Sequence, residues 1–236
     1  AVTLLMNQAA RALVDHFSGH GGRIDLARAT FPGVDRWTDL STGIAPWAYQ
    51  AVQGAEAAER LPDPADLAAL EAAAAAFFGV DAARVVAVPG SDLALRLLGQ
   101  ILGSRSSPQR PAIVRPGYSG HESMWGAQGV TTCSADAVAA MAQTHNILVL
   151  ARPNNPDAVV ADRTELHVAA SLLAARGGHL IVDEAFADAG AQDSLAGCDW
   201  PGLIVLRSFG KFFGLAGLRL GFVIAPCAIG DELRAL

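Results

Sequence analysis

The sequence contains a single lysine, Lys211, and only two tyrosines, three methionines and three cysteines. Cys133, Cys198 and Cys227 are odd in number and far apart, so neither a disulfide framework nor a zinc site is predicted. The chain has no basic run and a formal net charge of −6, which argues against a nucleic-acid-binding protein. Charges, prolines or glycines interrupt every apolar run before it is long enough to span a bilayer.

The composition and length favour a globular protein with one large domain. Hydrophobic residues make up 52% of the 236 residues and charged residues 17%, which suits one large domain with a substantial core. The segment Ala1–Met6 lacks the basic start of a signal peptide. We therefore expect a cytoplasmic protein that contacts neither nucleic acid nor membrane.

Apolar runs alternate with helical patterns along most of the chain. A helix is predicted over 4–17, and the segment 37–46 is predicted to be a short strand that leads into a loop. Further strands are predicted at 85–88, 111–114, 127–132, 146–151, 179–182 and 202–206. Further helices are predicted at 62–78, 93–101, 135–143 and 164–176.

The segment 208–222 carries the most distinctive chemistry. Lys211 lies among four glycines and four large apolar residues, Phe209, Phe212, Phe213 and Leu215. We expect a largely desolvated amine, and desolvation disfavours the ammonium form, as a lysine that attacks carbonyl groups requires. Arg219 is suited to gripping an anion. The alternative is a glycine-rich turn with a solvated lysine.

Two further positions suggest ligand chemistry. The turn Pro89–Asp92 links a strand to a helix, so free N–H groups and the helix dipole can bind an anion. The alternative is a plain helix cap by Ser91 or Asp92. Asp183 ends an apolar strand, where open α/β sheets place their ligands, whereas Glu184 is expected to face outward or to make a structural contact.

The S-x-x-K…R-x-G pattern of Ser208, Lys211, Arg219 and Gly221 resembles fold-type-I pyridoxal-phosphate (PLP) enzymes, the aspartate-aminotransferase superfamily. The resemblance implies an α/β fold with a mostly parallel central sheet flanked by helices. It also implies that Ser208 and Arg219 hold the PLP phosphate and that Lys211 carries the cofactor covalently.

The remaining superfamily motifs follow in the expected order over residues 85–222. The resemblance implies that Gly90, Ser91 and Asp92 cradle the phosphate, that Tyr118 stacks on the cofactor ring and that Asn155 donates to its 3′-oxygen. Asp183 would pair with the ring nitrogen and keep it protonated. There are two departures from the pattern: Ala158 replaces a glycine, and Phe186 replaces a tyrosine that contacts the 3′-oxygen in many aminotransferases.

The segments 20–23, 39–46 and 183–188 resemble the threonine-phosphate decarboxylases of cobalamin biosynthesis. This implies decarboxylation of L-threonine O-3-phosphate to (R)-1-amino-2-propanol O-phosphate, with His20, Gly43 and Asn155 at the substrate. Ala45 and Leu61 depart from the patterns of this branch and of the related aminotransferases.

Two other functions remain open. One is an aminotransferase of the histidinol-phosphate type, against which Phe186 and the His20 segment argue. The other is a non-catalytic PLP-fold module, which the set of Lys211, Asp183 and Asn155 disfavours.

The resemblance also implies the domain organisation. Residues 1–50 would form an N-terminal segment that is part of a small domain, and 51–226 the large PLP-binding domain. Residues 227–236 would begin the connection to a C-terminal small domain that this chain lacks. A homodimer, a small phosphorylated amino-acid substrate and no metal are expected.

Overall fold

The computed structural model describes residues 17, 21–50, 61, 63–105, 109–125 and 129–236. The chain divides into two compact units, Ala1–Ile44 and Ala45–Leu236. The predicted helix over 4–17 lies outside the described residues except for Phe17, which is helical.

The first unit contains helix α1 (Ile24–Thr30), and an irregular segment follows it. The prediction of a strand that starts near Trp37 is wrong, because this segment is irregular. The Asp39 carboxylate accepts hydrogen bonds from the backbone N–H and the hydroxyl of Ser41, at 2.8 and 2.5 Å. These local bonds form a turn, which competes with the pairing that a strand needs. They also lower the pKa of Asp39.

The second unit alternates helices and strands much as the sequence predicts. Its strands are β1 (Val85–Val88), β2 (Pro111–Val114), β3 (Thr131–Cys133), β4 (Ile147–Ala151), β5 (His179–Asp183), β6 (Leu203–Ser208) and β7 (Gly221–Ile224). Its helices are α2 (Pro64–Phe78), α3 (Ser91–Gly103), α4 (Gly120–Ser123), α5 (Val138–Thr144), α6 (Arg163–Ala174) and α7 (Cys227–Arg234). Short 3-10 turns precede β1 and α5 and follow β5.

The seven strands form one sheet in the order β1-β7-β6-β5-β4-β2-β3. Strand β7 is antiparallel to both of its neighbours, and the other pairs are parallel. Two buried apolar clusters accompany the sheet, one containing Leu173 and Val182 and the other Leu98 and Ile181. Val182 and Ile181 are neighbours in β5, so the sheet is buried on both faces, as parallel sheets require. The α/β fold with a mostly parallel sheet is confirmed.

The helix ends follow local chemistry. Asp63 caps α2 by accepting from Ala65 N–H, Pro64 occupies its first turn, and Gly79 ends it with φ 70°. Helix α3 differs, because its N-cap is Gly90, which has no side chain to cap the first turn. The prediction that Ser91 or Asp92 caps this helix is therefore wrong, and the helix begins at Ser91. Among the described residues, no helix combines the length and apolar character that crossing a membrane requires.

Candidate active site

The carboxyl ends of the parallel strands bring most of the predicted residues to one edge of the sheet. Ala151 of β4 pairs with Asp183 of β5, which in turn pairs with Leu206 of β6. The loop that holds Asn155 follows β4, and Ser208 ends β6. Because strands β2, β4, β5 and β6 run in the same direction, the residues that follow them share this edge.

Asp183 is buried and is held by His121 of α4. The His121 Nε2 atom lies 3.1 Å from Asp183 Oδ2, and Ala185 N–H donates to Asp183 Oδ1 at 3.1 Å. His121 is completely buried, and its Nδ1 has no hydrogen-bond partner within the described part of the chain. Sequence reasoning missed His121. Local spacing gave no signal for it, because its partner Asp183 lies 62 positions away in the sequence.

Tyr118 connects His121 to the first turn of α3. The two rings meet edge-to-face with centroids 5.6 Å apart. The Tyr118 hydroxyl donates to Asp92 Oδ1 at 2.9 Å. Burial, together with this bond and the charge of Asp92, raises the pKa of Tyr118 to about 12. The phenol therefore stays protonated at neutral pH.

The residues predicted to hold an anion lie together at the start of α3. Gly221 of β7 pairs with Val88 on one side and with Ser208 on the other. A Cβ at Gly221 would lie 2.9 Å from Ser91 N, and a Cβ at Gly90 would lie 2.8 Å from an Arg219 guanidinium nitrogen. Uncapped N–H groups of a 13-residue helix beside a guanidinium suit an anion such as phosphate.

The Lys211 loop is anchored by its backbone. The Lys211 carbonyl accepts from Ala45 N–H at 2.9 Å and from Gly214 N–H at 3.2 Å. Lys211 Nζ lies 5.8 Å from the centroid of the Phe186 ring. The side chain is half-buried, and the desolvation of its amine stays a prediction. Phe209 and Phe213 stack on each other with centroids 4.7 Å apart, and Phe212 is 49% exposed.

The loop after β4 places its two asparagines differently. The Asn155 side chain is exposed, whereas Asn154 is buried and donates to Pro116 O at 2.9 Å and to Asp157 Oδ1 at 2.7 Å. Ala158 has φ 59°. This left-handed conformation costs a residue with a Cβ about 1–2 kcal/mol, which explains why glycine is usual at this position in the resembled family.

Glu184 lies under the site in a buried ion network. It accepts from Leu195 N–H at 2.6 Å, from the Ser194 hydroxyl at 2.5 Å and from Arg207 at 3.3 Å. Arg207 also bonds to Asp188. Burial raises the pKa of both Glu184 and Asp188. The structural contact predicted for Glu184 is confirmed, and the outward-facing alternative is wrong.

Two predicted substrate residues stay predictions. His20 lies outside the described residues, and Gly43 lies in an exposed irregular segment of the first unit. Within the described ranges, no group of three or more His, Cys, Asp or Glu side chains is placed to hold a metal ion.

Comparison with known proteins identifies the family. The family model for aminotransferase class I and II matches residues 44–236. A threonine-phosphate decarboxylase of Pseudomonas aeruginosa is 43% identical over 211 residues, covering 87% of this chain and 61% of the relative. A histidinol-phosphate aminotransferase of Thermobifida fusca is 32% identical over 205 residues, covering 78% of this chain and 53% of the relative. The chain thus spans between half and two-thirds of the length of these relatives.

A solved structure shares the fold. The histidinol-phosphate aminotransferase of Sinorhizobium meliloti, in complex with pyridoxal-5'-phosphate, superposes with a TM-score of 0.65 at 21% identity. The match covers 77% of this chain and 52% of that structure. The sheet, the helices around it and the family match agree, and the chain belongs to the class I and II aminotransferase family.

Proposed function

We propose that this chain is the PLP-binding part of a threonine-phosphate decarboxylase of cobalamin biosynthesis. The reaction is decarboxylation of L-threonine O-3-phosphate to (R)-1-amino-2-propanol O-phosphate. The observation that carries the proposal is the 43% identity over 87% of the chain to a threonine-phosphate decarboxylase, against 32% over 78% to a histidinol-phosphate aminotransferase. Residues 51–226 would form the cofactor-binding domain.

The residues at the sheet edge fit PLP. The site offers a buried carboxylate, Asp183, and an uncapped helix start beside Arg219. It also holds the only lysine, beside Phe186. When bound, PLP supplies an electron sink for the charge that develops at the substrate Cα.

Each residue has a distinct task in this proposal. Ser208, Arg219 and the N–H groups of residues 90–92 would bind the cofactor phosphate, and Lys211 would hold the cofactor through Nζ. Asp183 would accept a hydrogen bond from the ring nitrogen, and His121 keeps the Asp183 carboxylate in place. Tyr118 would pack on the ring face, and Asn155 would donate to the 3′-oxygen.

The fate of the substrate would depend on how its carboxylate and phosphate are held in the site. We assign His20, Gly43 and Asn155 to those anchors. Breaking the bond to the carboxylate releases CO2, and the Lys211 amine is suited to return a proton to Cα.

The decisive experiment gives O-phosphothreonine to the full-length PLP-loaded protein without any keto acid. Continuous release of CO2 and aminopropanol phosphate over many turnovers is expected. A single turnover that converts the cofactor to its amine form, reversed by a keto acid, would reject the decarboxylase.

A histidinol-phosphate aminotransferase is the second candidate, supported by the relative from Thermobifida fusca. Phe186 argues against it, because no hydroxyl is available at that position to contact the 3′-oxygen. Transamination of histidinol phosphate with 2-oxoglutarate at a rate above the decarboxylation of O-phosphothreonine would favour this candidate.

We propose that the protein forms a homodimer and that it is located in the cytoplasm. Trp47, Tyr49 and Phe212 are 76%, 65% and 49% exposed. Tyr49 N–H donates to Phe213 O, and the two rings meet edge-to-face, so these aromatics form one surface beside the Lys211 loop. An apolar surface of this kind suits a second copy of the chain. The three cysteines are free, which is consistent with a reducing compartment.

A further inference from the structure

We propose that the Asp92 side chain is a positioning residue that holds the Tyr118 ring in place through its hydroxyl, and that it does not contact the cofactor phosphate. The inference rests on the proposed function, because it assigns a task within the same site. It separates the role of the Asp92 carboxylate from that of the N–H groups in the same turn.

Both oxygens of the Asp92 carboxylate bond to protein groups. Its Oδ1 accepts from the Tyr118 hydroxyl at 2.9 Å, and its Oδ2 accepts from Arg96 Nε at 3.2 Å. A carboxylate directed at a phosphate would repel it. Each oxygen of the Asp92 carboxylate therefore has a favourable partner, Tyr118 or Arg96. The N–H groups at the start of α3 stay open to an anion.

The Tyr118 ring is held on three sides. A Cβ at Gly120 would lie 2.2 Å from Tyr118 Cε1 and 2.8 Å from Cζ, so the ring packs directly on the Gly120 backbone. His121 meets the ring edge-to-face at an interplanar angle of 88°. Asp92 holds the hydroxyl at the far end. The hydrogen bond to Asp92 therefore adds a constraint at the end of the ring farthest from the backbone.

The charges around the phenol keep it a hydrogen-bond donor. Burial is the largest cause of its raised pKa, followed by the bond and the charge of Asp92 and then by the charge of Asp183. The charge of Arg96 lowers the pKa of Tyr118. His121 also faces the ring, edge-to-face. A cofactor ring therefore meets a surface whose orientation is set in advance, which lowers the ordering cost of binding.

The first test needs neither cofactor nor substrate. In the 236-residue chain with Tyr49→Phe, Tyr118 is the only tyrosine, so ultraviolet absorbance of tyrosinate after a rapid pH jump reports it alone. We expect half-ionisation near pH 12, moving toward 10 in Asp92→Ala. Arg96→Gln should move it in the opposite direction. An unchanged titration in folded Asp92→Ala would overturn the proposal.

The second test measures PLP affinity and the absorption and circular dichroism of bound PLP. Tyr118→Phe keeps the ring, and Asp92→Ala keeps the backbone N–H group. Each should weaken PLP binding by about 10–100-fold, the effect expected from losing one hydrogen bond to a charged group. The double variant should bind no more weakly than either single variant, because both remove the same bond. Multiplicative losses would show that Asp92 contacts PLP independently and would overturn the proposal.

The two proposals fail in distinguishable ways. PLP binding without decarboxylation of O-phosphothreonine would reject the proposed activity and leave the role of Asp92 standing. Failure of the wild-type protein to bind PLP would reject both.

Discussion

At the scale of single residues, the site depends on buried polar groups that are held by one another. Asp183 has 6% of its surface exposed, and His121 has none. A buried carboxylate without a partner is costly, so the His121 contact both stabilises Asp183 and fixes the direction of its oxygens. The chemistry proposed for Asp183 requires that fixed direction.

Replacing Lys211 tests its proposed covalent role. Lys211→Ala should abolish turnover of O-phosphothreonine, because it removes the amine that we assign to hold the cofactor and to move the proton. PLP should remain bound non-covalently, since the helix start and Arg219 are unchanged. Absorption spectra before and after borohydride treatment would check this. Substantial turnover by the variant would remove Lys211 from the mechanism.

Replacing His121 tests whether it positions Asp183. His121→Ala should lower kcat by about 10–100-fold, the effect expected from losing a hydrogen bond to a charged group. KM should change less, because His121 is not assigned to the substrate. The absorption maximum of bound PLP should shift as well, a signal that a purely structural role would not move. Asp183→Asn, which should leave a coloured but nearly inactive enzyme, provides the comparison.

At the scale of elements, the start of α3 depends on a glycine. Gly90 has φ 93° and ψ 152°, a conformation that is essentially restricted to glycine. The close approach of Arg219 depends on the missing Cβ. The backbone conformation at position 90 and the placement of the Arg219 side chain therefore both require glycine.

Gly90→Ala should weaken PLP binding at least tenfold by displacing Arg219, in addition to a backbone cost of about 1–3 kcal/mol. Gly79→Ala is the matched control, because Gly79 also has a positive φ of 70° but nothing lies within 4 Å of its Cβ position. It should lower stability and leave PLP affinity unchanged. Equal PLP affinities for the two variants, measured by absorbance titration, would contradict the placement of Arg219 at the phosphate.

At the scale of the whole molecule, stability should depend on pH through His179 at the start of β5. Burial lowers the pKa of His179 from 6.5. The unfolded chain therefore takes up a proton below pH 6.5 before the folded chain does, and the contribution of His179 to stability is lost as the pH falls.

Urea unfolding at pH 7.5 and 5.5 would measure this loss. The free energy of unfolding should fall between the two pH values, and His179→Gln should reduce the fall. His167→Gln, at an exposed histidine, should retain it. An identical fall in wild type and His179→Gln would contradict the assignment.

The proposed dimer is a second property of the whole molecule. Phe212→Glu should shift the assembly toward monomer in light scattering, because it places a charge on the exposed aromatic surface. Val168→Glu on α6 is the control, since Val168 is also 49% exposed but is not part of that surface. Monomer formation by both variants, or by neither, would argue against this surface as the interface.

The sequence by itself determined strands β1 to β6, helices α2, α3, α5 and α6, and the ordered set of motifs from Gly90 to Arg219, whereas β7, α1, α4 and α7 were not predicted. Local patterns reveal these elements and motifs, because apolar periodicity and the glycines or prolines that end an element involve only a few neighbouring residues. The same locality explains the wrong strand near Trp37, where the bonds between Asp39 and Ser41 outweighed the apolar pattern.

Only the tertiary structure decided which side chains meet. The bond of His121 to Asp183 joins residues 62 positions apart, and that of Tyr118 to Asp92 joins residues 26 apart. Sheet order and register bring these pairs together, and neither is encoded in local spacing. The same holds for the burial of Glu184 and the partial exposure of Lys211, because burial depends on what the rest of the fold places around a residue.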